Sequence, residues 1–187
     1  MDTVVRKIQS LYPVSEASIA LLCHHVEPMH VGKRSLLVKG QAFCDAAFFI
    51  EKGITRSFWR VDGEDITTSF SSEGDIVFSM DEMYYGRQSE EFVETLEDAL
   101  VYRIPIGALH HLVETNIELA NWWRVIHQNE YRRIHRTHKE RLTLSAAERY
   151  EAFCKQFPEV CQRVNLGYIA SYIGVTLPTL SRLRAAE

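Results

Sequence analysis

Near the C-terminal end, Thr176, Leu177, Pro178, Thr179, Ser181 and Arg182 crowd small, polar and cationic side chains into one short stretch. A guanidinium such as that of Arg182 can donate two parallel hydrogen bonds to guanine O6 and N7. Side chains like those of Thr176, Thr179 and Ser181 suit phosphate oxygens through their hydroxyls or, for threonine, a thymine methyl through its own methyl. The chemistry on offer is recognition. Nowhere does the chain place a nucleophile with a base, so an enzyme is not expected.

Side chains read a surface only if the backbone presents them, and the flanking residues supply a frame. Asn165 is a good helix N-cap, and Ile169, Ala170 and Ile173 follow on one face at helical spacing. Gly174 falls where the chain must turn through a conformation open to glycine. Thr176 can cap a second helix with Pro178 in its first turn, and Leu180 and Leu183 return its apolar face to the first. Two short helices around a glycine turn have the composition of a helix-turn-helix. An αα-hairpin that only completes a core has the same pattern, and this stretch leaves both readings open.

The 187 residues, 46% hydrophobic and 25% charged, are ordinary globular material. No apolar run approaches the roughly 20 residues of a membrane span, and M-D-T-V-V-R-K-I lacks a secretory signal pattern, so a cytoplasmic protein without a membrane partner is expected. Cys23, Cys44, Cys154 and Cys161 form no C-x-x-C pair, so four reduced thiols and no metal site are expected. The net charge of −4 conceals a division. Up to His110, 10 Lys and Arg face 17 Asp and Glu; from His111 onward, 11 face 8. Only the second part suits a polyanion.

Earlier in the chain, Val14 and Ile19 bracket Ser15 as a hydrophobic staple, which predicts a helix from Glu16 to about His25, with a shorter one before Tyr12-Pro13. From about Val31 to Ile104 short β-type runs alternate with turns. These are Ser35–Val38, Ala47–Glu51, Thr55–Val61, Ile66–Phe70, Ile76–Val77, Phe92–Leu96 and Leu100–Ile104. Gly40, Gly53, Gly63 and Gly74 punctuate them, as in a sandwich or barrel. No histidine lies between His30 and His110, which leaves a metal-dependent cupin without ligands.

The series L-V-K-G-Q-A, A-A-F-F-I-E-K-G-I-T-R, a hairpin at Asp62-Gly63, F-S-S-E-G-D-I and T-L-E-D-A-L-V-Y-R-I resembles the β-roll of a cyclic-nucleotide-binding-type sensor domain. Followed by a long helix and a helix-turn-helix, it resembles the Crp/Fnr family of bacterial transcription regulators along nearly the whole chain. The resemblance implies an α+β protein. It would have an antiparallel β-roll (a double-stranded jelly-roll) with flanking helices over residues 1–115, a long dimerisation helix over 116–142 and a helix-turn-helix domain over 145–187. It also implies a homodimer on a palindromic operator in double-stranded DNA, with RNA polymerase as a further partner.

The long helix is expected to open on a Thr115–Glu118 capping box and run to about Arg141, nearly 40 Å at 1.5 Å per residue. Leu119, Trp122, Trp123, Ile126 and Ile134 are its apolar seam. The dimer reading gives that seam to a second copy; the alternative gives it to a groove on the chain's own β-roll. Arg132, Arg133, Arg136, Lys139 and Arg141 make its second half basic. Lys139, Arg141 and Arg184 are candidate phosphate contacts, or else a solvated helix end. Ser145 and Glu148 form another capping box, opening a helix from Ala146 to about Gln156.

Cyclic-nucleotide sensors of this type hold the phosphate with a helix opening F-G-E and the arginine of R-S/T-A. Aligned on Leu96-Glu97-Asp98, the second position reads Ser89-Glu90-Glu91 and the first falls near Phe78-Ser79-Met80. The arginine is absent, two carboxylates stand nearby, and Arg87 could substitute only if the loop shifts. The degenerate pocket is thus assigned to Phe78, Ser79, Met80, Tyr84, Tyr85, Arg87, Ser89 and Glu90. Cyclic nucleotide is not expected as a cofactor; an uncharged effector or a filled, ligandless core is. Well-known family members carry Arg-Glu where this chain has Leu177-Pro178, so the usual operator is not implied; the family's β-wing is not expected after Glu187, and with it some backbone contact to DNA. The competing reading is an effector-binding or scaffold module whose C-terminal helices contact protein.

Overall fold

The computed structural model describes residues 1–185. Ala186 and Glu187, the end of the C-terminal domain delimited above, lie outside the described residues. Two N-terminal helices, α1 (Asp2–Leu11) and α2 (Glu16–Cys23), precede eight strands: β1 (Glu27–Val31), β2 (Leu36–Val38), β3 (Ala46–Lys52), β4 (Thr55–Val61), β5 (Glu64–Ser71), β6 (Ile76–Val77), β7 (Phe92–Thr95) and β8 (Ala99–Pro105). A short helix, α3 (Met80–Tyr85), separates β6 from β7. After β8 come α4 (Ile106–Thr115), α5 (Ile117–Thr143), α6 (Ala146–Gln156), α7 (Pro158–Arg163), α8 (Leu166–Ile173) and α9 (Leu177–Ala185).

The strands form two four-stranded sheets, ordered β1-β8-β3-β6 and β2-β7-β4-β5. β3 lies antiparallel to β8, with Ala47 opposite Ile104 and Phe49 opposite Tyr102. Strand side chains alternate between faces, so A-A-F-F-I serves two cores. Ala47 and Phe49 join Val4, Ile8, Leu22, Leu109, Leu119 and Trp122 under the helices. Ala46, Phe48 and Ile50 meet Val38, Val93 and Val101 between the sheets. Gly53 turns β3 into β4 at φ 115°, where a Cβ would sit 2.8 Å from the Ala99 Cβ. Only glycine fits there.

Neither β1 nor α7 is among the elements expected from the sequence. β1 contains Pro28 and polar residues, a composition tolerated because it is an edge strand pairing only with β8. Helix α7 starts at Pro158, whose missing N–H costs nothing in a first turn. The Thr115–Glu118 capping box is also corrected. Asn116 caps α5, its Oδ1 accepting from the N–H groups of Glu118 and Leu119, both at 3.0 Å. Thr115 instead donates its hydroxyl to the His111 carbonyl at the end of α4. The Glu118 carboxylate reaches across to Ser15, accepting from its hydroxyl (2.6 Å) and its N–H (2.9 Å).

The chain divides into two compact units, one of residues 1–57 and 70–129, the other of residues 58–69 and 130–187. In the first unit α1 is capped from afar. Glu51 of β3 accepts from the N–H groups of Thr3 (3.1 Å) and Val4 (3.2 Å), and lies 3.6 Å from the N-terminal ammonium. In the second, α6, α7, α8 and α9 assemble around Tyr150, Phe153, Val160, Ile169, Tyr172 and Leu180, all buried.

Candidate nucleic-acid interface

Helix α8 begins on Asn165, whose Oδ1 accepts from the Gly167 N–H at 2.7 Å. It ends at Gly174 in the left-handed region (φ 72°, ψ 44°), and the Val175 N–H closes back on the Ala170 carbonyl at 3.0 Å. This closure satisfies carbonyls that the helix end leaves orphaned. Thr176 caps α9, its hydroxyl accepting from the Thr179 N–H at 3.4 Å. Leu180 is fully buried, which turns the other side of α9 outward.

On that outward side Leu177, Pro178, Ser181, Arg182 and Arg184 are exposed, with Thr179 half-buried and Thr176 exposed beside it. The two threonine hydroxyls lie 2.9 Å apart and bond to each other. Arg182 donates through Nε to the Pro178 carbonyl at 3.3 Å, and no ion pair holds it among the described residues. Five of these six residues, all but Thr179, are thus exposed at the start and along α9, as is Arg184 near its end.

What aims α8 is Tyr172, which sequence reasoning passed over. It is buried among Phe153 and Phe157, with ring centroids 5.4 and 5.9 Å away. Its hydroxyl accepts from Arg133 (3.2 Å) and lies 3.3 Å from the Thr137 hydroxyl. Its carbonyl, in the last turn of α8, accepts from Arg141. Arg133, Thr137 and Arg141 recur every four residues, one face of the second half of α5. Arg141 is thus tied to the end of a helix, where a cation complements the dipole, rather than left for a phosphate. Lys139, by contrast, is exposed. Ser171 adds a second tie: its hydroxyl accepts from the Thr67 N–H of β5 (2.9 Å) and donates to the Asp65 carbonyl (3.4 Å).

The α5 seam divides differently from the expectation. Leu119, Trp122 and Trp123 are at most 8% exposed, and Ile126 packs beside them, all within the helix-covered core of the first unit. Their own β-roll covers them, so they are not available to a second copy. Ile134 does remain exposed, together with Tyr131 and Leu142 on the second half and Ile117 at the start. Of the seam assigned from periodicity, Ile134 is thus the residue left exposed, beside Tyr131.

The degenerate pocket residues do not converge. Phe78 packs against Trp123 (5.2 Å between centroids), and the Tyr84 hydroxyl accepts from Trp123 Nε1 at 2.9 Å. The same hydroxyl hydrogen-bonds with His127 Nε2 (2.7 Å), and His127 Nδ1 donates to the Trp123 carbonyl (2.8 Å). A carbonyl can only accept, so Nδ1 is the donor in that contact. Met80 and Tyr85 are exposed, and Ser79 caps α3 by accepting from the Glu82 N–H. Arg87 is held by Asp81 through Nε (2.8 Å) and Nη2 (2.6 Å), and the other Asp81 oxygen accepts from the Glu90 N–H at 3.0 Å. The Glu90 amide, then the Arg87 guanidinium, hold the Asp81 carboxyl below the usual carboxylate range. Glu82 accepts from the backbone N–H groups of Cys44 (2.9 Å) and Asp45. Ser89 is buried, its hydroxyl donating to the Glu91 carbonyl.

Cys154 and Cys161 are joined in a disulfide, which corrects the expectation of four free thiols. Pro158 between them lets the chain double back and bring α7 beside α6, the signal that spacing alone did not convey.

No protein-family model and no curated protein matches the sequence. Solved structures do match the fold. The c-di-GMP responsive global regulator CLP of Xanthomonas campestris aligns with a TM-score of 0.73 at 13% identity, over 92% of this chain and 91% of that one. A protein from Eubacterium rectale assigned to the crp/fnr family of transcriptional regulators gives 0.73 at 16%, over 95% and 87%. FixK2 from Bradyrhizobium japonicum gives 0.72 at 18%, over 86% and 83%. The chain therefore has the α+β fold of the Crp/Fnr regulators, with a β-roll, a long helix and C-terminal helices.

Proposed function

We propose that this protein is a sequence-specific DNA-binding transcriptional regulator of the Crp/Fnr type, a cytoplasmic homodimer without catalytic activity. Residues 1–115 are the sensor, 116–142 the helix through which two copies pair, and 145–187 the DNA-binding domain. The observation that carries the reading is the capped α8–Gly174–α9 pair, which buries Leu180 and leaves Thr176, Leu177, Pro178, Ser181 and Arg182 exposed. A helix presented this way enters a major groove through its N-terminal residues. Arg182 reads a guanine, Leu177 and Pro178 make apolar contact, and Lys139 and Arg184 approach phosphates. RNA polymerase is the partner through which such a regulator acts.

The sensor works without cyclic AMP or cyclic GMP. A nucleotide phosphate needs backbone N–H groups and a guanidinium. Here the protein's own carboxylates take both kinds of donor: Asp81 holds Arg87 and the Glu90 amide, and Glu82 holds the Cys44 and Asp45 amides. An anionic ligand would meet carboxylates first.

Selection of duplex DNA from a random pool by the purified protein tests the reading. The enriched sequence should be palindromic, and its binding should weaken steeply as salt rises, by a log–log slope of about −0.9 per phosphate contacted. Failure to retain duplex DNA in dilute buffer would leave the helices to a protein partner and end the proposal. For the sensor, calorimetric titration should show no micromolar binding of cyclic AMP; a signal abolished by Arg87→Ala would reverse that assignment.

A further inference from the structure

The four cysteines separate into two chemical classes. Burial pushes the Cys23 thiol up, and burial followed by the Glu82 charge does the same to Cys44. A thiol kept protonated is a poor nucleophile. Cys154 and Cys161 stand apart. All four cysteines are half-buried, but these two have Cα atoms 5.5 Å apart, and both lie in the small helical assembly that carries α8 and α9. That Cα separation is the ordinary one for a disulfide.

Their link bears on one weak joint. Helix α7 has six residues, no side-chain cap at its start and one buried residue, Val160. Its C-cap, Val164, comes directly before the Asn165 cap of α8. The sulfur bond to α6 is thus the covalent tie nearest the point where α8 begins. Other contacts that hold α7 include buried Val160, its own backbone bonds, the Glu159–Arg163 ion pair within it and the Tyr150 hydroxyl, 3.6 Å from the Cys161 sulfur.

We propose that Cys154–Cys161 is a reversible dithiol–disulfide site that fixes where α8 starts, and through it where α9 points. The consequence for DNA rests on the function proposed above. The co-reactant is a low-molecular-weight disulfide. One cysteine thiolate attacks a sulfur of that disulfide, forming a mixed disulfide and expelling one small thiolate. The second cysteine thiolate attacks the protein sulfur of the mixed disulfide, closing the Cys154–Cys161 bond and expelling the other. Both cysteine sulfurs are oxidised, the small disulfide is reduced to two thiols, and the two protons lost by the cysteines end on those thiols. Excess small thiol runs the sequence backward.

The full chain equilibrated in graded mixtures of reduced and oxidised glutathione, then alkylated and weighed, tests the chemistry. Cys154 and Cys161 should become protected together as the mixture grows oxidising, while Cys23 and Cys44 remain reduced thiols throughout. Amide exchange at Val164–Tyr168 should run at least about tenfold faster in the dithiol form, a local opening without global unfolding. Affinity for the selected duplex should fall several-fold in that form. Cys154→Ser and Cys161→Ser should each match the dithiol form whatever the glutathione ratio. If either variant fails to fold, chemical reduction of the unaltered protein supplies the comparison.

Two outcomes overturn the site: Cys154 and Cys161 both alkylated in excess oxidised glutathione, or a bond that forms while amide exchange stays unchanged. Exchange that responds to the couple in a protein that ignores DNA in both forms upholds the redox site and rejects the DNA-binding function.

Discussion

At the scale of single residues, the surface of α9 depends on few polar groups, so each is consequential. Arg182 is the one cation on the presented stretch from Thr176 to Arg182. Replacing it with alanine should cost about 1–3 kcal/mol of specific binding and relax preference at one base pair per half-site. Competition between operator and scrambled duplex measures this, and an unchanged ratio contradicts the assignment. Asp81 makes a different prediction. Its carboxyl is depressed in the folded protein by the Glu90 amide and then by Arg87. A depressed carboxyl contributes stability above its unfolded pKa, and that contribution is lost as pH falls through the lower folded value. The loop from Arg87 to Glu90 should therefore stay closed at neutral pH and loosen only in acid below about pH 4. Asp81→Asn should weaken that response, read as amide exchange at Glu90 across a pH series.

Among the elements, α5 does two jobs on two faces. One face is spent inside each unit: Leu119, Trp122 and Trp123 in the first, Arg133, Thr137 and Arg141 toward Tyr172 in the second. Another leaves Tyr131, Ile134 and Leu142 exposed. An apolar stripe on a 27-residue helix favours association with a like helix. Ile134→Asp with Leu142→Asp should shift a dimer toward monomer by at least about tenfold in dissociation constant, since each buries a charge in an apolar contact. Sedimentation measures the shift, and thermal melting should stay near the unaltered value because neither side chain is buried in the monomer. Trp122→Ala is the contrasting variant. It should cost about 3–5 kcal/mol of stability, the loss expected for a large side chain removed from a packed core.

For the whole molecule, the division of charge matters more than its total. The −4 net charge is an acidic first part and a basic second part, so a polyanion is attracted to the latter despite the overall sign. Two copies related by a two-fold axis would offer two α9 helices to one side of a duplex, with half-sites about one helical turn, roughly 34 Å, apart. Inserting about half a turn of DNA between the half-sites puts the second on the opposite side and should lower affinity by an order of magnitude or more, while a full turn should restore part of it. Equal binding to all three spacings would show that the copies bind independently.

Local signals were legible because they act over a few residues. Ser15, Ser145 and Asn165 each cap a helix as their positions imply, and Gly174 takes the left-handed turn that its place between two apolar runs demands. The β texture between Val31 and Ile104 likewise follows from alternation, which depends only on the geometry of a strand. Tertiary structure decided everything that needed a distant partner. Periodicity shows that α5 has an apolar stripe but not what covers it, and the β-roll covers Leu119 and both tryptophans. Thr115 and Asn116 are both capable caps; the position of α4, whose His111 carbonyl takes the Thr115 hydroxyl, left the role to Asn116. Glu51 capping α1 and Arg141 closing α8 are contacts that no window of neighbouring residues contains. Spacing along the chain sets which conformations are cheap, and only the folded arrangement sets which groups meet.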